Sequence, residues 1–145
     1  MRCMNASPRA KWRSEWRHNL HLTMALVLII EDEAPIRANL ARFIELEGHQ
    51  VCQAANGQVG LHAVMEKRPD LIICDVTMPL MNGREVLAAL QSEPNLKKIP
   101  FVFLSASAEP KRFEEAQRLG AVAYITKPFG FAQLRSVLLK YLPKP

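Results

Sequence analysis

No apolar run in this 145-residue sequence approaches the ~20 residues a membrane-crossing helix needs, so no span is expected. The stretch MALVLII follows a basic segment as a secretory leader would, but it is short, lacks a small-residue cleavage site and runs straight into EDE, which excludes one. Cysteine is scarce. Cys3, Cys52 and Cys74 form no CxxC pair and no metal-ligand spacing, and Cys52 and Cys74 sit in apolar, strand-like runs. They read as small buried hydrophobes of a protein kept in a reducing cytosol. A one-sided charge is also missing from most of the chain. Of the net +5, residues 1–23 supply +4 (Arg2, Arg9, Lys11, Arg13 and Arg17 against Glu15), leaving a nearly neutral body. A nucleic-acid-binding body is therefore not indicated; residues 1–23 read as a basic, disordered extension and 24–145 as one domain.

From Ala25 onward, short apolar runs alternate with amphipathic stretches. The runs ALVLII (25–30), QVCQA (50–54), LIIC (71–74), FVFLSA (101–106) and AVAYIT (121–126) predict five strands. QVCQA is the most polar and belongs near an edge. Helices are predicted over 34–47, 58–68, 83–91, 111–119 and 131–142. In the first, Ile36, Leu40, Phe43 and Ile44 form the inner stripe. In the second, Val59, Leu61, His62 and Met65 are assigned inward. Strict alternation with short loops implies right-handed crossovers and a parallel sheet covered on both faces: α/β, doubly wound, with five helices.

Such sheets bind ligands beyond the carboxyl ends of their strands. Those ends carry Glu31, Asp32 and Glu33 after the first strand, Asp75 after the third, Ser105 after the fourth and Lys127 after the fifth. Crowded carboxylates repel one another unless a cation joins them. Mg²⁺ prefers oxygen donors and takes one or two carboxylates. Asp32 and Asp75 suit direct ligation, Glu31 ligation through water, and the Thr77 carbonyl a further contact, because the chain turns there before Pro79. A positioned carboxylate beside Mg²⁺ can form an aspartyl phosphate. Lys127 and the Ser105 hydroxyl would then stabilise the transferred phosphoryl group. Glu33 reads as a solvated acid at a helix start, and Gly83 as serving a backbone turn.

The motifs VLIIEDE (27–33), LIICDVTMPLMNG (71–83), FLSA (103–106) and AYITKPF (123–129) resemble, in that order, the receiver domain of two-component response regulators. The resemblance covers about Ala25 to Leu142. It implies a flavodoxin-like sheet of order 2-1-3-4-5, with Asp75 as acceptor from a histidine kinase or phosphotransfer protein in a reaction needing Mg²⁺, with Mn²⁺ as a substitute. It also implies a lysine before a proline often held cis, here Lys127 and Pro128, and a switch formed by Ser105 and Tyr124. A downstream protein would read the face around the fourth helix, fifth strand and fifth helix, and a weak homodimer through that face is a further expectation. Tyr124 also fits as a plain packed aromatic. Thr77 and Ser107 flank the phosphoryl position and, being small, leave room for a hydrolytic water. Glu31 departs from the more usual Asp.

The expectation is a cytoplasmic, chemotaxis-type single-domain regulator, not an enzyme and without a DNA-binding domain; LPKP at the end also suits the start of a linker in a longer regulator or hybrid kinase. A phosphohydrolase of the haloacid dehalogenase type would want an acid where Thr77 stands and a late acidic pair, and nothing after Lys127 is acidic. A receiver that only scaffolds is opposed by the full set Glu31, Asp32, Asp75, Ser105 and Lys127. In the tail, Arg9, Arg13 and Arg17 alternate with Trp12, Trp16 and Leu20 at helical spacing, which would suit an anionic surface or a partner groove.

Overall fold

The computed structural model describes residues 25–143. Five strands, β1 (Leu26–Ile30), β2 (Gln50–Ala54), β3 (Leu71–Asp75), β4 (Phe101–Ser105) and β5 (Ala123–Thr126), alternate with five helices. These are α1 (Ala34–Leu46), α2 (Gly57–Lys67), α3 (Gly83–Gln91), α4 (Pro110–Leu119) and α5 (Phe131–Tyr141). All pairings are parallel and the order is β2-β1-β3-β4-β5, as expected. The polar strand β2 is an edge. Helix starts follow local chemistry: the Asn56 side chain accepts from the Val59 N–H, and Asn82 and Glu85 form a reciprocal capping box. The basic stripe and extension of residues 1–23 lie outside the described residues.

Because side chains alternate across a strand, each central strand supplies both cores. Leu28, Ile30, Ile72, Cys74, Phe101 and Phe103 pack under α2, α3 and α4. Val27, Ile29, Leu71, Ile73, Val102, Leu104 and Ile125 pack under α1 and α5. This two-sided burial explains why these strands read as unbroken apolar runs. Cys74 is a free, fully buried thiol, as expected of a small apolar filler. Cys52 is buried but is not a free thiol, so the expectation fails there.

The inner face of α2 is shifted from the sequence expectation. Val59 points inward, but Gly60, Ala63 and Val64 complete the buried face, while His62 and Met65 are exposed. The cause is close approach: a Cβ on Gly60 would lie 2.4 Å from Ile30 Cδ1. The inward face is made of residues too small to announce themselves by hydropathy. The fifth strand also starts later than expected, at Ala123, although the Val122 N–H still donates to the Phe101 carbonyl at 2.9 Å.

Candidate functional site

Strand register brings the charged residues together. Ile30 pairs with Cys74, so Glu31, one residue further, stands level with Asp75. On the other side Asp75 pairs with Leu104, Leu104 with Ile125, and Ser105 with Thr126, so Lys127 lies two positions past the residue level with Leu104. Period-two alternation also fixes the side. Glu31 continues the parity of Val27 and Ile29, Asp75 that of Leu71 and Ile73, and Lys127 that of Ala123 and Ile125. All three therefore emerge on the α1/α5 side of the sheet. Ser105 continues the parity of Phe101 and Phe103, and Tyr124 packs against the same opposite core.

The Lys127 ammonium lies 2.7 Å from Glu31 Oε1, 3.2 Å from Asp75 Oδ2 and 4.0 Å from Glu33 Oε1. Glu31 is 0% exposed and Asp75 is buried, while the Lys127 side chain is 15% exposed. Burial pushes the Glu31 carboxyl up to about 7; Lys127 opposes that shift and Asp75 adds to it. Burial alone would lower the Lys127 ammonium, but the Glu31 and Asp75 carboxylates outweigh it and hold the group above its usual value. Burial likewise raises the Cys74 thiol, with the Asp75 and Glu31 charges adding to the effect.

Backbone donors finish the arrangement. The Thr77 N–H donates to Asp75 Oδ1 at 3.3 Å, and the Glu33 N–H to Glu31 Oε2 at 3.3 Å. Glu33 is exposed at the start of α1 and supplies no side-chain cap, so it is a solvated acid that also faces Lys127. Arg37 was not singled out from sequence: its Nη1 donates to the Glu31 carbonyl at 2.7 Å, tying α1 to the acidic turn. Nothing in the spacing of residues 31 and 37 announces that bond. Gly83 serves the backbone, as expected, since a Cβ there would lie 2.3 Å from the Asp75 carbonyl oxygen. The Lys127–Pro128 peptide is cis, as the motif implied.

Glu31, Asp32 and Asp75 each offer a carboxylate oxygen within 4.8 Å of the others. Glu31 Oε1 is buried and, despite its nearness to Lys127, has no aligned hydrogen bond. A buried carboxylate held this way favours either a proton or a cation, and an all-oxygen set suits a hard divalent ion. The residues present fit Mg²⁺.

On the opposite side, the Ser105 hydroxyl accepts from the Ser107 N–H at 3.1 Å. The Tyr124 hydroxyl donates to the Ser107 carbonyl at 2.9 Å, and its ring meets Phe113 edge-on at 4.6 Å between centroids. A cavity of about 320 Å³ lies here, bordered by Thr77, Ser105, Ser107 and Tyr124. Glu115 on α4 bridges Arg84 on α3 at 3.0 Å and Arg112 at 3.2 Å.

The family model for the response regulator receiver domain matches residues 27–139. The chain is 35% identical over 117 residues to sporulation initiation phosphotransferase F of Bacillus subtilis, covering 81% of this chain and 93% of that protein. It is 34% identical over 121 residues to the phosphate regulon transcriptional regulatory protein PhoB of Pseudomonas aeruginosa, covering 81% of this chain but 53% of that one. The structure of chemotaxis response regulator CheY4 of Vibrio cholerae matches with a TM-score of 0.78 at 32% identity, over 83% of this chain and 100% of that one.

Proposed function

Since the chain belongs to the receiver-domain family of two-component response regulators, whose members are regulatory phosphoacceptor modules and not enzymes in the ordinary sense, we propose that Asp75 is the phosphoacceptor of a cytoplasmic signalling switch. The observation that carries this reading is the buried Asp75 carboxylate, held on a strand end beside the Lys127 ammonium at 3.2 Å and within 4.8 Å of two further acids. An Asp75 carboxylate oxygen attacks the phosphorus of a phosphohistidine on a kinase or phosphotransfer protein. The O–P bond forms, the P–N bond breaks, and the histidine nitrogen leaves with the electron pair. The rigid strand keeps the attacking oxygen in line.

Glu31, Asp32, Asp75 and the Thr77 backbone carbonyl would hold Mg²⁺ or Mn²⁺, which when bound supplies positive charge to the phosphoryl oxygens. Lys127 supplies the second positive charge, and the Ser105 hydroxyl turns from Ser107 to donate to a phosphoryl oxygen. That turn would disturb the loop to which Tyr124 is bonded, biasing the surface of α4, β5 and α5 that a downstream protein, or a second copy in a weak dimer, would read. Thr77 and Ser107 are small, so water reaches the acyl phosphate and the signal decays unaided.

Intact-mass measurement with acetyl phosphate tests this. The wild type should gain one phosphoryl group only with Mg²⁺, and Asp75→Asn should gain none while keeping its fold. Failure of the wild type to gain mass, with partner binding intact, would leave a scaffold. Multiple turnover of a small phosphate ester would mean a phosphohydrolase.

A further inference from the structure

Asp32 is placed differently from the other two acids of the cluster. The Glu31 side chain meets Lys127 and the Glu33 N–H, and the Asp75 side chain meets Lys127 and the Thr77 N–H. Asp32 stands exposed at a bend, and among the described residues no hydrogen bond or ion pair holds its side chain. The direction of its carboxylate is therefore set by the backbone that carries it. Arg37 grips that backbone: its Nη1 donates at 2.7 Å to the Glu31 carbonyl, one end of the peptide group that joins Glu31 to Asp32. Helix stability does not explain the grip. The Arg37 N–H already donates to the Glu33 carbonyl at 3.0 Å, which closes the first turn of α1 without the side chain. The guanidinium makes no ion pair among the described residues, and its Nε is buried without a partner, which is unfavourable.

We propose that Arg37 is a positioning residue for the metal. By fixing the peptide between residues 31 and 32, it holds the Asp32 carboxylate in register with Glu31 and Asp75, so that the three acids close on a divalent cation with little rearrangement. This rests on Glu31, Asp32 and Asp75 being a Mg²⁺ site. The guanidinium has two opposed effects on such an ion. As a positive charge it repels the ion, and through its bond it orders a ligand that nothing else orders. The charge of a half-buried side chain is weakened by water and salt. Groups that orient metal ligands carry tenfold or more of the affinity. Ordering therefore outweighs repulsion, and loss of the side chain weakens binding although it removes a like charge.

The test measures Mg²⁺ binding itself, without a phosphodonor, by titration calorimetry and by the rise of melting temperature with Mg²⁺ concentration. It compares wild type, Arg37→Met and Arg37→Lys. Methionine keeps an unbranched side chain and removes both the charge and the donors; lysine keeps the charge and a donor. Arg37→Met should raise the Mg²⁺ dissociation constant about tenfold. Arg37→Lys should stand closer to the wild type, and the melting temperatures of all three in chelator should stay close to one another. At saturating Mg²⁺, labelling of Arg37→Met by acetyl phosphate should return to the wild-type rate. An Arg37→Met protein that binds Mg²⁺ as tightly as the wild type, or more tightly, would overturn the inference. A lower melting temperature in chelator with an unchanged dissociation constant would overturn it too, leaving Arg37 a purely structural residue. In these cases Mg²⁺ binding by the wild type leaves the metal site standing; a wild type that binds no Mg²⁺ rejects that site, and the role of Arg37 with it.

Discussion

The two sides of the sheet's carboxyl edge are built differently. On the α1/α5 side, Glu31 and Asp75 emerge at the ends of strands buried along their whole length and Lys127 just past the half-buried β5, over helices that bury Leu40, Ala41, Phe43 and Ile44, and Leu134, Val137 and Leu138. On the other side, Ser105 and Tyr124 face α4, whose one buried residue is Ala116. That helix is held otherwise by the Phe113–Tyr124 ring contact and by half-exposed ion pairs through Glu115. A transferred group needs fixed partners, whereas a structural response needs an element with little burial to give up. One sheet separates the two environments by sending alternate residues to opposite sides.

The sharpest way to break this contrast is to compare core truncations. Leu134→Ala, at a 0% exposed position of α5, should cost about 2–5 kcal/mol. Ala116→Gly in α4 should cost about 1 kcal/mol. Equal losses in urea unfolding would remove the distinction. Next in size is a pH effect confined to the acidic side. The Glu31 carboxyl is raised from an ordinary 4.5 to about 7, so the folded state binds more protons than the unfolded one between those values. Metal-free stability should therefore fall as pH rises through that window, and Glu31→Gln should flatten the slope. Mg²⁺ competes with that proton, so its affinity should rise with pH in the wild type. Melting curves in chelator, with and without Mg²⁺, check both signs. Asp75→Asn should bring the Glu31 titration down, since Asp75 adds to its rise. The smallest effects belong to the α4 side. Tyr124→Phe removes the bond to the Ser107 carbonyl and should cost about 0.5–1.5 kcal/mol. Glu115→Gln breaks partly exposed pairs and should cost under about 1 kcal/mol. Both should speed amide exchange in α4 while leaving β3 protected; exchange spreading into β3 would show the two sides to be one unit.

Much of the acidic side was legible because its signals are strong ones: unbroken apolar runs that lead into a charge. Parallel pairing places those ends at one edge, so Glu31, Asp32, Asp75 and Lys127 could be gathered before any coordinates. Legibility failed where the determining residue was small or ordinary. Gly60 and Ala63 set the inner face of α2 by close packing, which hydropathy does not register, and His62 and Met65 were placed inward in error. The Arg37 bond to a carbonyl depends on how α1 leaves the acidic turn. Leucine at position 80 gives no sign of a left-handed backbone, because the residue types that signal one are absent there. That Ser105 and Lys127 stand on opposite sides follows from pleat parity, which required the strand limits to within one residue.

The near-contact between Gly83 and the Asp75 carbonyl has a mechanical consequence. With no side chain between them, the first turn of α3 leans directly on the main chain of Asp75. A displacement of a few tenths of an ångström at that carbonyl has no slack to absorb it and is passed on to the first turn of the helix. An alanine at position 83 would act as a wedge, prising the strand tip and the helix apart.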